Sequence, residues 1–267
     1  MTGETRFFNQ TVEGEPRDAA SVVLLRDAAG GGLEVFMLRR GGSSTVMNDA
    51  YVFPGGKVDP EDAAPQGLSA LGLNELGLNG LAAHMLGEHD LEASLAASLF
   101  VAACRETFEE TGVQVYPRDL IPLSRWITPK VPAMMRRRFD TRFFLACLPT
   151  GAIATHDGQE ADASAWYAPR EALERYRDRE IMLAPPQIMT LAGLAGVPNF
   201  AQVREQLRDH RPRLIEPLSV QSGSQRAMVY PGDERHPVRE RAMPGPTALI
   251  FRDDRFEPEG GFEQFFA

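Results

Sequence analysis

Ala103-Cys104-Arg105-Glu106-Thr107-Phe108-Glu109-Glu110-Thr111-Gly112-Val113 places four charges and a helix stop within eleven residues. The spacing predicts a helix over Leu95 to Thr111, ended by Gly112, the favoured residue just past a helix C-terminus. At about 100° per residue, Glu106, Glu109 and Glu110 fall on one face. Val101, Cys104 and Phe108 form the opposite, apolar stripe and are expected to be buried. Three carboxylates within little more than one turn repel by roughly 0.2–0.5 kcal/mol per close pair, at the end where the macrodipole disfavours negative charge. Such a face is either solvated or bound to cations, and taken alone the solvated reading is the commoner one. Oxygen donors without sulfur suit Mg2+ or Mn2+, the usual partners of diphosphate oxygens. Arg105 can pair with Glu109 four residues on.

N-terminal to this helix, Ala20 to Arg26 and Leu33 to Arg40 read as strands joined through Gly30-Gly31-Gly32. The glycine triplet is a turn, since it lacks the lysine and following Ser or Thr of a phosphate loop. Tyr51-Val52-Phe53 is a third strand, stopped by Pro54-Gly55-Gly56. Residues 63 to about 92, rich in Gly, Leu and Asn, read as an insertion. Within it His84 and His89 are read as surface histidines, because zinc sites bring closer-knit ligands. C-terminal to the helix, Thr141 to Leu148 is a buried central strand. Trp166-Tyr167 ends another strand, and Ala168-Pro169 opens a helix. Two more helices are expected near Gln187 to Leu194 and Phe200 to Asp209. From Arg211 the chain is Pro- and Arg-rich, with strand-like pieces such as Ala227-Met228-Val229-Tyr230.

Together these residues resemble the Nudix signature: Gly, five residues, Glu, seven residues, then Arg-Glu-(apolar)-x-Glu-Glu-x-Gly-(apolar). Gly56 supplies the first glycine, Asp62 stands where the family has Glu, and Arg105 to Val113 matches the second half. Thr107 occupies a usually apolar position. The spacer from Ala63 to Cys104 has 42 residues where the family has seven, an excess of 35. A box split in this way is similar to the Nudix branch that includes the peroxisomal coenzyme A diphosphatases. The likeness continues in Trp126-Ile127-Thr128-Pro129, in Arg137 to Leu145, in Glu180 to Gln187 and in Gly232-Asp233-Glu234, and covers about residues 18 to 235.

The resemblance implies an α+β fold, the Nudix α/β/α sandwich with a mixed β-sheet, an insertion inside the box and extra C-terminal helices at about 187–209. Its division of the chain is an N-terminal arm over 1–17, a Nudix domain over 18–235 and a C-terminal tail over 236–267. It also implies that Glu106, Glu109 and Glu110 ligate Mg2+ or Mn2+, with Gly56 giving a backbone carbonyl or a turn. One of Glu109 and Glu110 would orient or deprotonate the attacking water, and Arg105 would hold the carboxylates. Glu160, six residues before Trp166, is where many Nudix enzymes place a further acid; an exposed loop carboxylate is an equal reading. The coenzyme A-hydrolysing enzymes carry an upstream motif of which Arg40 survives here, while Thr45 and Asp49 replace its second arginine and its glycine. Arg40 and Arg138, the latter within Arg136-Arg137-Arg138, are candidate substrate contacts. Trp126 or Phe139 could stack on a base, although core packing is the better reading for both.

The expected function is metal-dependent hydrolysis of a diphosphate bond in a nucleotide-linked substrate, coenzyme A or acyl-coenzyme A first, ADP-ribose or NADH as alternatives. A reading of another class is a non-catalytic, nucleotide-binding Nudix-fold regulator. Such modules usually lose acidic ligands, and here Arg105, Glu106, Glu109 and Glu110 are all present. The composition, 43% hydrophobic and 24% charged, is that of a globular protein. A net charge of −9 argues against nucleic acid or anionic membrane as partner. No apolar run is long enough to cross a bilayer, and the N-terminus has no signal-like apolar core. Cys104 and Cys147, expected on a buried helix face and a buried strand, fit a reducing cytosol, so a cytoplasmic location is expected. Dimers are frequent in the family, which keeps a homodimer among the expectations.

Overall fold

The computed structural model describes residues 11–41, 50–63, 85–131, 137–222 and 225–266. Strand β1 (Arg17–Asp27) carries seven consecutive buried residues, as a strand covered on both faces must. It runs antiparallel to β2 (Leu33–Arg40), and the turn between them uses Gly31 and Gly32 at φ of 86° and 97°, open to glycine without strain. The short strand β3 (Tyr51–Val52) lies on β2, and β4 (Gly55–Lys57) lies on β1. On the other side of β1, β6 (Phe139–Cys147) pairs in parallel and β5 (Ile121–Ile127) follows antiparallel. Strand β7 (Ala161–Tyr167) joins β2, and β8 (Arg213–Ile215) adds a parallel edge to β5. The sheet is mixed, as expected.

Alternation along β1 divides the core. Val22 and Leu24 face helix α1 (Ala93–Thr111), together with Phe36, Phe144, Leu99 and Phe100. Val23 and Leu25 face the other way, onto helices α2 (Pro169–Arg177) and α3 (Pro185–Leu194). The result is the expected α/β/α sandwich. Helix α4 (Phe200–Gln206) is capped by Asn199, whose side chain accepts from the Gln202 N–H. Trp126 meets Tyr230 edge-on at 5.9 Å between ring centres inside the core, which settles it as a packing residue.

Three expectations are corrected. Phe108 is 51% exposed, so it does not belong to the buried stripe of α1. Thr107 and Thr111 take the buried positions instead, because each hydroxyl donates to the carbonyl four residues back, at 2.7 and 2.5 Å, and so enters the core satisfied. Val101 and Cys104 are buried as expected. Residues from 236 onward are no tail. Strands β9 (Leu218–Ser222), β10 (Gln225–Val229), β11 (Ala248–Arg252) and β12 (Arg255–Pro258) form a second, antiparallel sheet. Met228, Leu249 and Phe256 send its inner face into the main core, where Phe265 from the following short helical turn joins them, so the folded body reaches well past 235. At the other end Val12 already donates to the Lys130 carbonyl, and β1 begins at Arg17.

The expectations for Thr45, Asp49, His84, Arg136 and most of the insertion fall on residues outside those described. Its end is described: Leu86 is buried against α1, and His89 is exposed. Cys104 and Cys147 are free thiols. Among the described residues no helix is long and apolar enough to cross a membrane.

Candidate active site

Pro54-Gly55-Gly56 turns the chain from β3 into β4, which sets Gly55 opposite Ser21 and Gly56 opposite Ala20 on β1. Close approach requires glycine at Gly55, and at Gly56 a side chain would displace Glu106. At Gly55, with φ of 151°, a Cβ would sit 2.4 Å from the Ala20 carbonyl oxygen. At Gly56 a Cβ would sit 2.3 Å from Oε1 of Glu106. The Glu106 carboxylate therefore rests on the bare Cα of Gly56, and the Gly55 N–H donates to Oε2 of Glu110 at 2.8 Å. Two halves of the box, 35 residues further apart in sequence than the family spacing, meet in space.

Arg105 ties the halves a second time. Its Nε and Nη2 donate to both oxygens of Asp62 at 2.8 and 2.9 Å, a bidentate pair with a carboxylate only 1% exposed. Nη1 reaches Glu106 at 2.9 Å and Glu109 at 3.0 Å, and Nη2 also reaches the Lys57 carbonyl. The short helical turn Pro60–Ala63 brings Asp62 close, and the Asp59 N–H donates to it at 2.8 Å. The Arg105–Glu109 pair expected from the spacing is present. The stronger partner, Asp62, was visible only as a departure from the signature.

Burial dominates the electrostatics of the carboxylates. It pushes Glu110 up to about 7, with Glu106 and Glu160 adding to the rise and the Gly55 N–H and Arg40 opposing it. Burial raises Glu106 as well, against the pull of Arg105 and with a further push from Glu109 and Glu160. Glu110 has no ion-pair partner among the described residues. Arg40 and Glu160 are thus close enough for their charges to act on Glu110. Gly41, next to Arg40, donates its N–H to the Glu160 carbonyl at 2.9 Å, and Asp157 accepts from the Glu160 and Ala161 N–H groups to shape that loop.

Arg138 is placed elsewhere. It is buried, donates to the Thr128 carbonyl and pairs with Glu216 at 3.0 Å. Its own carbonyl receives the N–H of Arg17, three residues along β1 from Ala20, the partner of Gly56. These bonds commit the Arg138 side chain, read from the sequence as a candidate substrate contact, to partners within the fold.

Among the described residues, no three His, Cys, Asp or Glu side chains converge as a closed metal site. Glu106 and Glu110 meet over Gly55–Gly56, whereas Glu109 is 55% exposed and held by Arg105. The donor chemistry nonetheless suits a hard divalent cation: oxygen ligands, a glycine floor, and one buried carboxylate, Glu110, without an ion-pair partner among the described residues.

The family description that matches is the NUDT19 Nudix domain, over residues 118–194. That span begins after the glutamates, so it supports the family independently of the box. The acyl-coenzyme A diphosphatase NUDT19 of Gallus gallus is 28% identical over 304 residues, covering 83% of this chain and 80% of that protein. Its namesake in Xenopus laevis is 26% identical over 274 residues, covering 76% and 71%. A solved NUDIX hydrolase from Alicyclobacillus acidocaldarius shares the fold, with a TM-score of 0.55 at 23% identity, covering 74% of this chain and 97% of that one. A box that is usually contiguous is here reassembled across an insertion, and the chain has the fold of a NUDIX hydrolase and is similar over most of its length to acyl-coenzyme A diphosphatases of the Nudix type.

Proposed function

We propose that the chain hydrolyses the diphosphate bond of coenzyme A or acyl-coenzyme A, using Mg2+ or Mn2+ held by Glu106 and Glu110 with Glu109 at the rim. The observation that carries the reading is Glu110: buried, fixed by one backbone N–H and poised near neutrality. When bound, the divalent ion lowers the pKa of a coordinated water and offsets charge on the attacked phosphoryl group. The Gly55 N–H fixes one oxygen of Glu110, which leaves the other to orient the attacking water and take its proton. Asp62 holds Arg105, and Arg105 in turn holds Glu106 and Glu109 against each other's repulsion. Arg40 is close enough for its charge to act on Glu110, and we assign it to a substrate phosphate. Coenzyme A is favoured as substrate because the relatives that align over most of this chain are named acyl-coenzyme A diphosphatases.

A panel of coenzyme A, acyl-coenzyme A, ADP-ribose and NADH tests the substrate. Coenzyme A or its thioester is expected to give the highest kcat/KM, yielding adenosine bisphosphate and a phosphopantetheine fragment. A tenfold preference for ADP-ribose or NADH would overturn that choice. Arg40→Ala is expected to raise KM about tenfold with little change in kcat, the loss of one charged hydrogen bond. An unchanged KM would remove Arg40 from the site.

The raised Glu110 also has a thermal consequence. Its folded value, about 7, lies above the ordinary 4.5. Between these values the folded metal-free protein binds more protons than the unfolded chain, so its stability falls as pH rises through the window. A bound divalent ion relieves that penalty. Mg2+ or Mn2+ is therefore expected to raise Tm more at pH 8 than at pH 5, and equal shifts at the two pH values would contradict the placement of the ion at Glu110.

A further inference from the structure

Arg142 is the largest side chain buried to this degree, 2% exposed, and it lies in the middle of a strand. A guanidinium there must be fully paired to be tolerated. Its Nε and Nη2 donate to both oxygens of Glu88 at 3.0 and 2.9 Å, and Nη1 donates to Asp18 at 2.6 Å. Arg125, across the strand pair, donates twice to Asp140 and meets Glu88 at 2.7 Å. Three carboxylates and two arginines thus join β1, β5, β6 and residue 88, which lies at the C-terminal end of the insertion, shortly before α1. Asp18 connects this cluster to the site. Its carbonyl accepts the Val58 N–H at 2.9 Å, and the next residues, Ala19, Ala20 and Ser21, pair with Lys57, Gly56 and Gly55.

We propose that Glu88 is a positioning residue for the glycine loop: through Arg142 and Asp18 it holds the start of β1, and with it the backbone of Gly55 to Val58 under Glu106 and Glu110. The segment that splits the box is, at its described end, a structural part of the site that the split box forms. The kinetic half of this inference rests on the hydrolase reading; the backbone half does not.

Glu88→Gln is a mild test, since Asp18 and Asp140 still balance the two arginines. In the metal-free protein, hydrogen exchange of the Val58 amide is expected to speed up about tenfold, while Val229 in the second sheet is unaffected. In the loaded enzyme kcat is expected to fall about tenfold with KM within twofold, and Glu88→Asp to recover part of the loss. Asp18→Asn cuts the same link from the strand side and is expected to do the same. Arg235→Gln, which breaks the pairs with Asp233 and Glu259 in the C-terminal region, serves as the stability control. It should lower Tm without changing kcat. Unchanged Val58 exchange in both Glu88→Gln and Asp18→Asn overturns the proposal. So does a kcat that stays at the wild-type value while Tm falls. If the wild type cleaves no diphosphate, the exchange result alone decides.

Discussion

Glu110→Gln is expected to lower kcat about a thousandfold, the middle of the range for removing a positioned proton acceptor, while the protein keeps its fold. Gln retains an oxygen that can accept from the Gly55 N–H, so the loop contact survives. What it lacks is the charge that burial already strains, so the metal-free variant should be no less stable than the wild type at pH 8, and a little more so. The matching change at Glu109 should be milder by at least tenfold, because Glu109 is exposed and its described contact is with Arg105. Steady-state kinetics on the two variants, with circular dichroism as a folding control, would show the asymmetry. Equal losses would mean that the two glutamates share one role.

Asp62→Ala is expected to cost about 3 kcal/mol in urea unfolding, the lower end for breaking a buried ion pair, since Arg105 keeps contacts with Glu106 and Glu109. Activity should fall with it, because Arg105 then loses its bidentate anchor and keeps only the weaker contacts with the Lys57 carbonyl and Asp59 from which to hold Glu106 over Gly56. The family's usual residue should not improve on the native one. Asp62→Glu adds a methylene to a site 1% exposed, which costs roughly 1–3 kcal/mol through overpacking. A loss below 1 kcal/mol for Asp62→Ala would show that the bidentate pair is not what joins the two halves of the box.

The parts of this protein that could be read in advance are those whose signal is local. Three glutamates at helical spacing, an arginine beside them and a glycine stop define α1 and its acidic face without any tertiary knowledge. The face opposite was misjudged at Phe108 because hydrophobicity ranks phenylalanine above threonine. A threonine that bonds its own helix carries no unmet polar group into the core. Asp62 was located by counting from Gly56, but its pairing with Arg105 depends on the turn at Pro60–Ala63 and on how the chain returns across the insertion. The second sheet was illegible beyond β10: its strands span only four or five residues each, and the segment leading into them is rich in proline and arginine. Arg142 sits inside the strand read as buried, Arg125 lies in a strand that was not read and Asp140 just before the one that was, and only long-range pairing with Glu88 and Asp18 explains them.

The central claim is that this acidic face, with a divalent ion, hydrolyses a diphosphate. Its most direct measurement is a titration of chelator-stripped protein with Mg2+ or Mn2+ in the presence of coenzyme A, following the appearance of adenosine bisphosphate. The account predicts no cleavage without metal, saturable cleavage with it, and, in H2(18)O, one labelled oxygen in a phosphate of one product. Failure to cleave coenzyme A or any other diphosphate under either metal, or cleavage that persists in excess chelator, would contradict it.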